Sequence, residues 1–137
     1  MTVRIVLDTS ALLAYARLSG VAVGELIAMV EEDGGAAVVG IPAGCFLEAH
    51  AALAAGQAGA LKAAAGRDTA ADLARLVDLA TTVDGVTAVL PLLGADVVAA
   101  AEDGHAAVEV RRHGALLATY EGRQARRNLP DEAVLDL

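Results

Sequence analysis

Short apolar runs, the first of them rich in β-branched residues, recur along this chain with helical stretches between them, and that alternation limits the fold more than any other feature. Val3–Leu7, Ala37–Ile41, Val86–Leu90 and Ala115–Ala118 each read as a buried strand, and Ala133–Leu135 as an edge strand. Nearly continuous apolar strands, rather than strictly alternating ones, belong to parallel sheets covered on both faces. The segments between them carry helix signals. Asp8-Thr9-Ser10 suits an N-cap ahead of a helix over Ala11–Arg17, and Val23, Leu26, Ile27 and Val30 keep helical spacing as far as Gly34-Gly35. Pro42 opens a helix over Ala43–Ala55. Thr69-Ala70-Ala71-Asp72 reads as a capping box before a helix with Leu73, Leu76, Val77 and Ala80 on one face. A long helix is predicted over Ala95–His113 and a helical turn over Glu121–Arg127. The expected fold is α/β: a single domain over residues 1–137, with a central parallel sheet of four to five strands flanked by helices on both faces.

Composition narrows the function classes. With 18 Asp or Glu against 10 Lys or Arg, a net charge of -8 and only 2% aromatics, the chain lacks the basic surface and stacking rings of a generic nucleic-acid binder. Holding a polyanion would require local arginine clusters or bound metal to offset the protein's own field. Cys45 stands alone, so it forms neither an intramolecular disulfide nor, by itself, a structural zinc site. The opening Met-Thr-Val-Arg runs straight into a strand-like segment without signal-peptide features. The Ala-rich stretch 44–65 is broken by Glu48, His50, Gln57 and Lys62, which argues against a membrane span. A soluble cytoplasmic protein is expected.

Where the acids fall carries the chemistry. Ligands of open parallel sheets collect beyond the carboxyl ends of the strands. Asp8 lies at that end of the first strand and Glu121 just beyond the fourth. On a continuous helix over 95–113, Asp103 sits among Ala99, Ala100, Ala106, Ala107 and Val110, in an apolar, core-facing stripe, with Glu102 and Glu109 on the solvated side. A lone ionised carboxylate in such a stripe is costly unless paired or bound to metal. Glu48 shares a face with small Gly44, Ala51, Ala52 and Ala55, which would admit a close neighbour, and no lysine is placed to pair with either acid. Each acid also has an ordinary explanation: Asp8 as a helix cap, Glu48 as a solvated residue, Glu121 as a partner of a helix dipole. Asp96, one heptad before Asp103, either contributes or caps its helix. His50 and His105 follow acids by two positions and are turned away from the proposed site, and His113 suits a helix C-terminus, so structural roles are expected for all three. No phosphate loop, serine nucleophile elbow or paired-aspartate motif is present.

Val6-Leu7-Asp8-Thr9-Ser10-Ala11-Leu12-Leu13 resembles the opening motif of PIN domains, in particular the short VapC-type toxins. Ile41-Pro42 followed by Glu48 resembles that family's second-acid helix. Asp103-Gly104-His105-Ala106-Ala107, through Gly114 to Thr119-Tyr120-Glu121, resembles its third-acid helix and closing motif. The resemblance covers essentially the whole chain. It implies that Asp8 and Asp103 ligate metal, that Glu48 completes or orients the cluster, that Glu121 fills the fourth acidic position, and that Ser10 and Thr119 support them by hydrogen bonding. Glu121 departs from the family's usual Asp or Asn, and the extra methylene favours a water-mediated role. The implied activity is Mg²⁺- or Mn²⁺-dependent hydrolysis of RNA, with a small antitoxin protein as partner and homodimerisation, and no membrane. Arg123, Arg126 and Arg127, with Arg111 and Arg112 in addition, are candidates for flanking phosphates.

This reading requires Asp8, Glu48 and Asp103 to meet in one pocket with no arginine neutralising any of them. Two carboxylates ~6 Å apart repel by roughly 3 kcal/mol at an effective dielectric near 20, so a divalent ion should raise the melting temperature. For the same reason Asp103→Asn should stabilise the metal-free protein. The rival reading is a PIN-like domain that does not cut RNA and serves as a binding or regulatory module. A third is an unrelated flavodoxin-like binding domain.

Overall fold

The computed structural model describes residues 2–58, 69–81 and 85–137; Lys62 and the side chain of Gln57, invoked above, lie outside them. Strand β1 (Thr2–Leu7) leads into helices α1 (Thr9–Ala16) and α2 (Ala22–Glu32), then β2 (Ala37–Pro42), α3 (Ala43–Ala58), α4 (Thr69–Ala80) and β3 (Thr87–Leu90). A 3-10 turn (Gly94–Asp96) precedes α5 (Val97–Asp103) and α6 (His105–His113); β4 (Leu116–Thr119), α7 (Gly122–Ala125), a second 3-10 turn (Asp131–Ala133) and β5 (Val134–Asp136) complete the order. The expected α/β class holds, and among the described residues the sheet has five strands, all parallel, in the order β3-β2-β1-β4-β5.

That order fixes where a ligand goes. From β1 the chain steps outward through β2 to β3, then crosses back to lay β4 against the other side of β1. Right-handed crossovers running in opposite directions put their helices on opposite faces of the sheet. The reversal between β1 and β4 is a topological switch point, and a crevice opens at the carboxyl ends of those two strands. Val6 pairs with Gly40 on one side and Leu117 on the other, with Leu7 opposite Ala118, so both strands end level at that crevice.

The core explains why the strands read as continuous apolar runs. Val6, Leu7, Leu12, Val39, Ile41, Leu76 and Ala118 have no exposed surface. At Gly40 a Cβ would sit 2.7 Å from Leu90 Cδ1 and 3.0 Å from Val3 Cγ1, so the packing across β2 requires glycine. Gly44 lets α3 approach α6: a Cβ there would lie 3.2 Å from that of His105.

Three expectations fail. The helix predicted over 95–113 is broken: Gly104, at φ 90° and ψ 150°, occupies a backbone region essentially restricted to glycine and separates α5 from α6. The stripe that placed Asp103 in the core does not cross the break. Asp103 ends α5 half-buried, whereas Glu109, expected in solvent, is buried at 1% exposure. In α4 the buried residues are Asp72, Leu76 and Leu79, so Val77 faces outward. Asp72 pairs there with Arg75, whose Nε donates to Ala16 O at 2.8 Å. In α3 the buried line is Cys45, Ala49 and Leu53, while Ala51 and Ala55 are exposed.

Candidate active site

A cavity of about 510 Å³ opens at the switch point, and Asp8, Glu48, Asp103 and Glu121 all line it. Four segments supply them: the β1–α1 junction, α3, the end of α5 and the β4–α7 junction. Leu92, Val97 and Leu129 form apolar parts of its wall, and Gln124 and Asn128 add polar groups.

Asp8 is the most firmly held of the four. It is the N-cap of α1, its Oδ1 accepting from Ala11 N at 3.0 Å. Ser10 Oγ donates to the same oxygen at 2.6 Å, and Thr119 Oγ1, fully buried at the end of β4, donates to Oδ2. Each hydroxyl has a single proton, and both protons are spent on Asp8. Their acceptor sides are filled in turn, Ser10 by Tyr120 N at 3.0 Å and Thr119 by Glu121 N at 2.9 Å. The chain thus forms relays from backbone N–H through hydroxyl to carboxylate, an arrangement in which each bond polarises the next. Three donors on a group with about four acceptor positions leave room for a further electropositive partner. The supporting role expected of Ser10 and Thr119 corresponds to these contacts.

Glu48 is exposed on α3 but tied to the site through Thr9 Oγ1, which donates to its Oε2 at 2.7 Å. Thr9 also hydrogen-bonds the Cys45 thiol. Burial pushes that thiol up to about 11, with the Asp8 and Glu48 charges adding to the rise and Thr9 opposing it. A buried thiol held protonated at neutral pH is a poor nucleophile.

Asp103 is arranged differently. Arg111 Nη1 donates to its Oδ2 at 2.8 Å, and Arg111 Nη2 donates to Asn128 O at 2.6 Å. The condition that no arginine neutralise an acid of the site therefore fails at Asp103, and the reading survives there only because the pair is partly exposed and so weak enough to yield to a cation. The expectation that Asp103→Asn stabilises the metal-free protein falls with it, since Asp103 already has a cationic partner. Asp96 pairs with Arg112 and does not line the cavity. Arg126 is committed to Asp131 and Asp136, clamping α7 to β5, and so is not placed to serve RNA phosphates. Arg123 and Arg127 are exposed beside it.

His105, expected to turn away, lines the cavity. Its Nδ1 accepts from Gly44 N at 3.1 Å, so Nε2 is free to donate to buried Glu109 Oε1, also at 3.1 Å. His113 Nε2 lies 3.2 Å and Arg112 Nη1 3.6 Å from the same carboxylate. The structural role expected of His105 and His113 is to surround an acid that the sequence reading had put in water. The missed signals were present: a glycine inside a helical pattern, and histidines four residues before and after Glu109.

The donor set is hard oxygen throughout, carboxylates backed by hydroxyls, and in that respect it fits Mg²⁺ or Mn²⁺ rather than a soft metal. Among the described residues, no three acids, histidines or cysteines already converge on one point as an ion's ligands. Also among them, no helix is long and apolar enough to cross a membrane. Compared with family models, curated proteins and solved structures, the chain matches none of them.

Proposed function

We propose that this chain is a PIN-type, metal-dependent ribonuclease that hydrolyses RNA phosphodiester bonds. The observation that carries the reading is the gathering of Asp8, Glu48, Asp103 and Glu121, from segments far apart in sequence, along one cavity at the switch point of the sheet. Asp8 and Asp103 would hold Mg²⁺ or Mn²⁺, with Glu48 beside them and the longer Glu121 acting through water. Such an ion, once bound, supplies an activated water and neutralises charge on the phosphoryl oxygens. The protein's own part is positional. Ser10, Ala11 and Thr119 fix the Asp8 carboxylate, Thr9 steers Glu48, and exposed Arg123 and Arg127 suit flanking phosphates. Service as the toxin half of a VapBC-type pair, with a small antitoxin, homodimerisation and a cytoplasmic location, extends the same reading. Exposed Leu18, Val21 and Met29 offer apolar surface to such a partner.

A second reading, a PIN-like module that binds without cutting, is favoured by the Arg111–Asp103 pair and by the lack of three converged ligands among the described residues. Incubating a panel of structured RNAs with Mg²⁺ and either wild type or Asp8→Asn separates the two. Cleavage by wild type alone is expected. Equal cleavage by both proteins would mean contamination and remove the enzyme claim, and intact RNA with both would favour the binding module.

A further inference from the structure

Arg111 stands against a ready-made cation site, because it already pairs with Asp103, and its geometry suggests a purpose. It sits in the second turn of α6, eight residues beyond Asp103, and reaches it only because Gly104 breaks the helix between them. Its guanidinium spans two segments, holding Asp103 Oδ2 with one nitrogen and the backbone oxygen of Asn128 with the other. Asp103 and Asn128 both line the cavity, so the side chain bridges two of its walls. Neighbouring Arg112 turns instead to Asp96 and Glu109, and has no part in this bridge.

We propose that Arg111 is a built-in counter-ion that autoinhibits the site: it occupies Asp103 until a divalent cation displaces it. The inference rests on the metal-dependent reading above. Both partners are accessible, at 44% and 30% side-chain exposure. Pairs of that kind are weak, so displacement is feasible and its cost to cation affinity is modest. A guanidinium matches a carboxylate in charge and reach yet offers no open coordination position, so it neutralises Asp103 without activating water. Bridging to Asn128 restores its second hydrogen bond to the protein, which keeps the blocking position ordered.

The test is Mn²⁺ affinity, read from the free-ion electron paramagnetic resonance signal without RNA, for wild type, Arg111→Gln, Asp103→Asn and the double variant. Arg111→Gln should bind about two- to fivefold more tightly than wild type, the range a partly exposed ion pair converts to. In the Asp103→Asn background the same substitution should change nothing, because Arg111 acts through that carboxylate. Arg111→Lys, which keeps the charge but loses the two-pronged bridge, should fall between the two and guards against a misfolded glutamine variant. Equal affinities for wild type and Arg111→Gln would overturn the counter-ion while leaving the metal site standing. Weaker binding by Arg111→Gln, or the same gain in the Asp103→Asn background, would overturn it as well. No binding by any of the proteins would overturn both this inference and the metal-dependent reading.

Discussion

Two acids on the same cavity are held in opposite ways. Asp8 is fixed from three sides by Ser10, Ala11 and Thr119, whose own acceptor or donor positions continue into the backbone. Asp103 ends a broken helix, is half-exposed, and is held by a long, flexible arginine. One carboxylate is preorganised and the other is exchangeable. A site built this way keeps its position while its charge balance can change, because the fixed acid supplies geometry and the loose one responds to whichever cation is present.

The firmest support lies behind the loose corner. Glu109 is buried on the inner face of α6, with His105, His113 and Arg112 of the same helix around it. Replacing it with alanine leaves buried His105 Nε2 without its acceptor and empties a buried position, at a cost of about 1–3 kcal/mol. Urea unfolding should show that loss; a change below about 1 kcal/mol would mean that the cluster is not structural. At the fixed corner, Thr119→Val removes one donor from Asp8 and leaves Glu121 N without its acceptor, for about 1–3 kcal/mol. The same variant should bind Mn²⁺ about 10- to 100-fold more weakly, as expected for a residue that orients a ligand. An unaltered affinity would deny that the hydroxyl orients Asp8.

At the loose corner the expected effects shrink. Asp103→Asn removes a partly exposed pair and should destabilise the metal-free protein by no more than about 1 kcal/mol. Clear stabilisation in thermal melts would restore the view that Asp103 suffers net repulsion there. Smallest of all is the pair that clamps α7. A hydrogen bond from Arg126 holds the Asp136 carboxyl below its ordinary value of 3.8. Its stabilisation is therefore present at neutral pH and is lost as pH falls below that value through the lowered one. The melting difference between wild type and Arg126→Gln should narrow along that descent, and a widening gap would reverse the assignment.

The same contrast marks what the sequence could convey. Strands were legible because short apolar runs bounded by turn residues need no partner to be recognised, and Asp8 because a strand ending in Asp-Thr-Ser marks the sheet's functional edge. Strand order was not legible: local patterning says nothing of whether β4 returns to β1 or continues beyond β3, and the cavity exists because it returns. Asp103 and Glu109 were exchanged in burial for a single reason. Helical periodicity was carried across Gly104, although only glycine suits the backbone there; beyond it Ala106, Ala107 and Val110 are buried as expected, but Glu109 is buried with them. The Arg111 bridge followed from the same break and had no signal in spacing, since eight residues along an unbroken helix would set the two groups about two turns apart.

The account stands on Asp8 and Asp103 sharing one ion. Crystals soaked in Mn²⁺ and measured at the manganese absorption edge test it most directly. The expected result is an anomalous peak between the two carboxylates, with the Arg111 guanidinium moved off Asp103. A map without that peak, and with Arg111 still on Asp103 at high Mn²⁺, would contradict it.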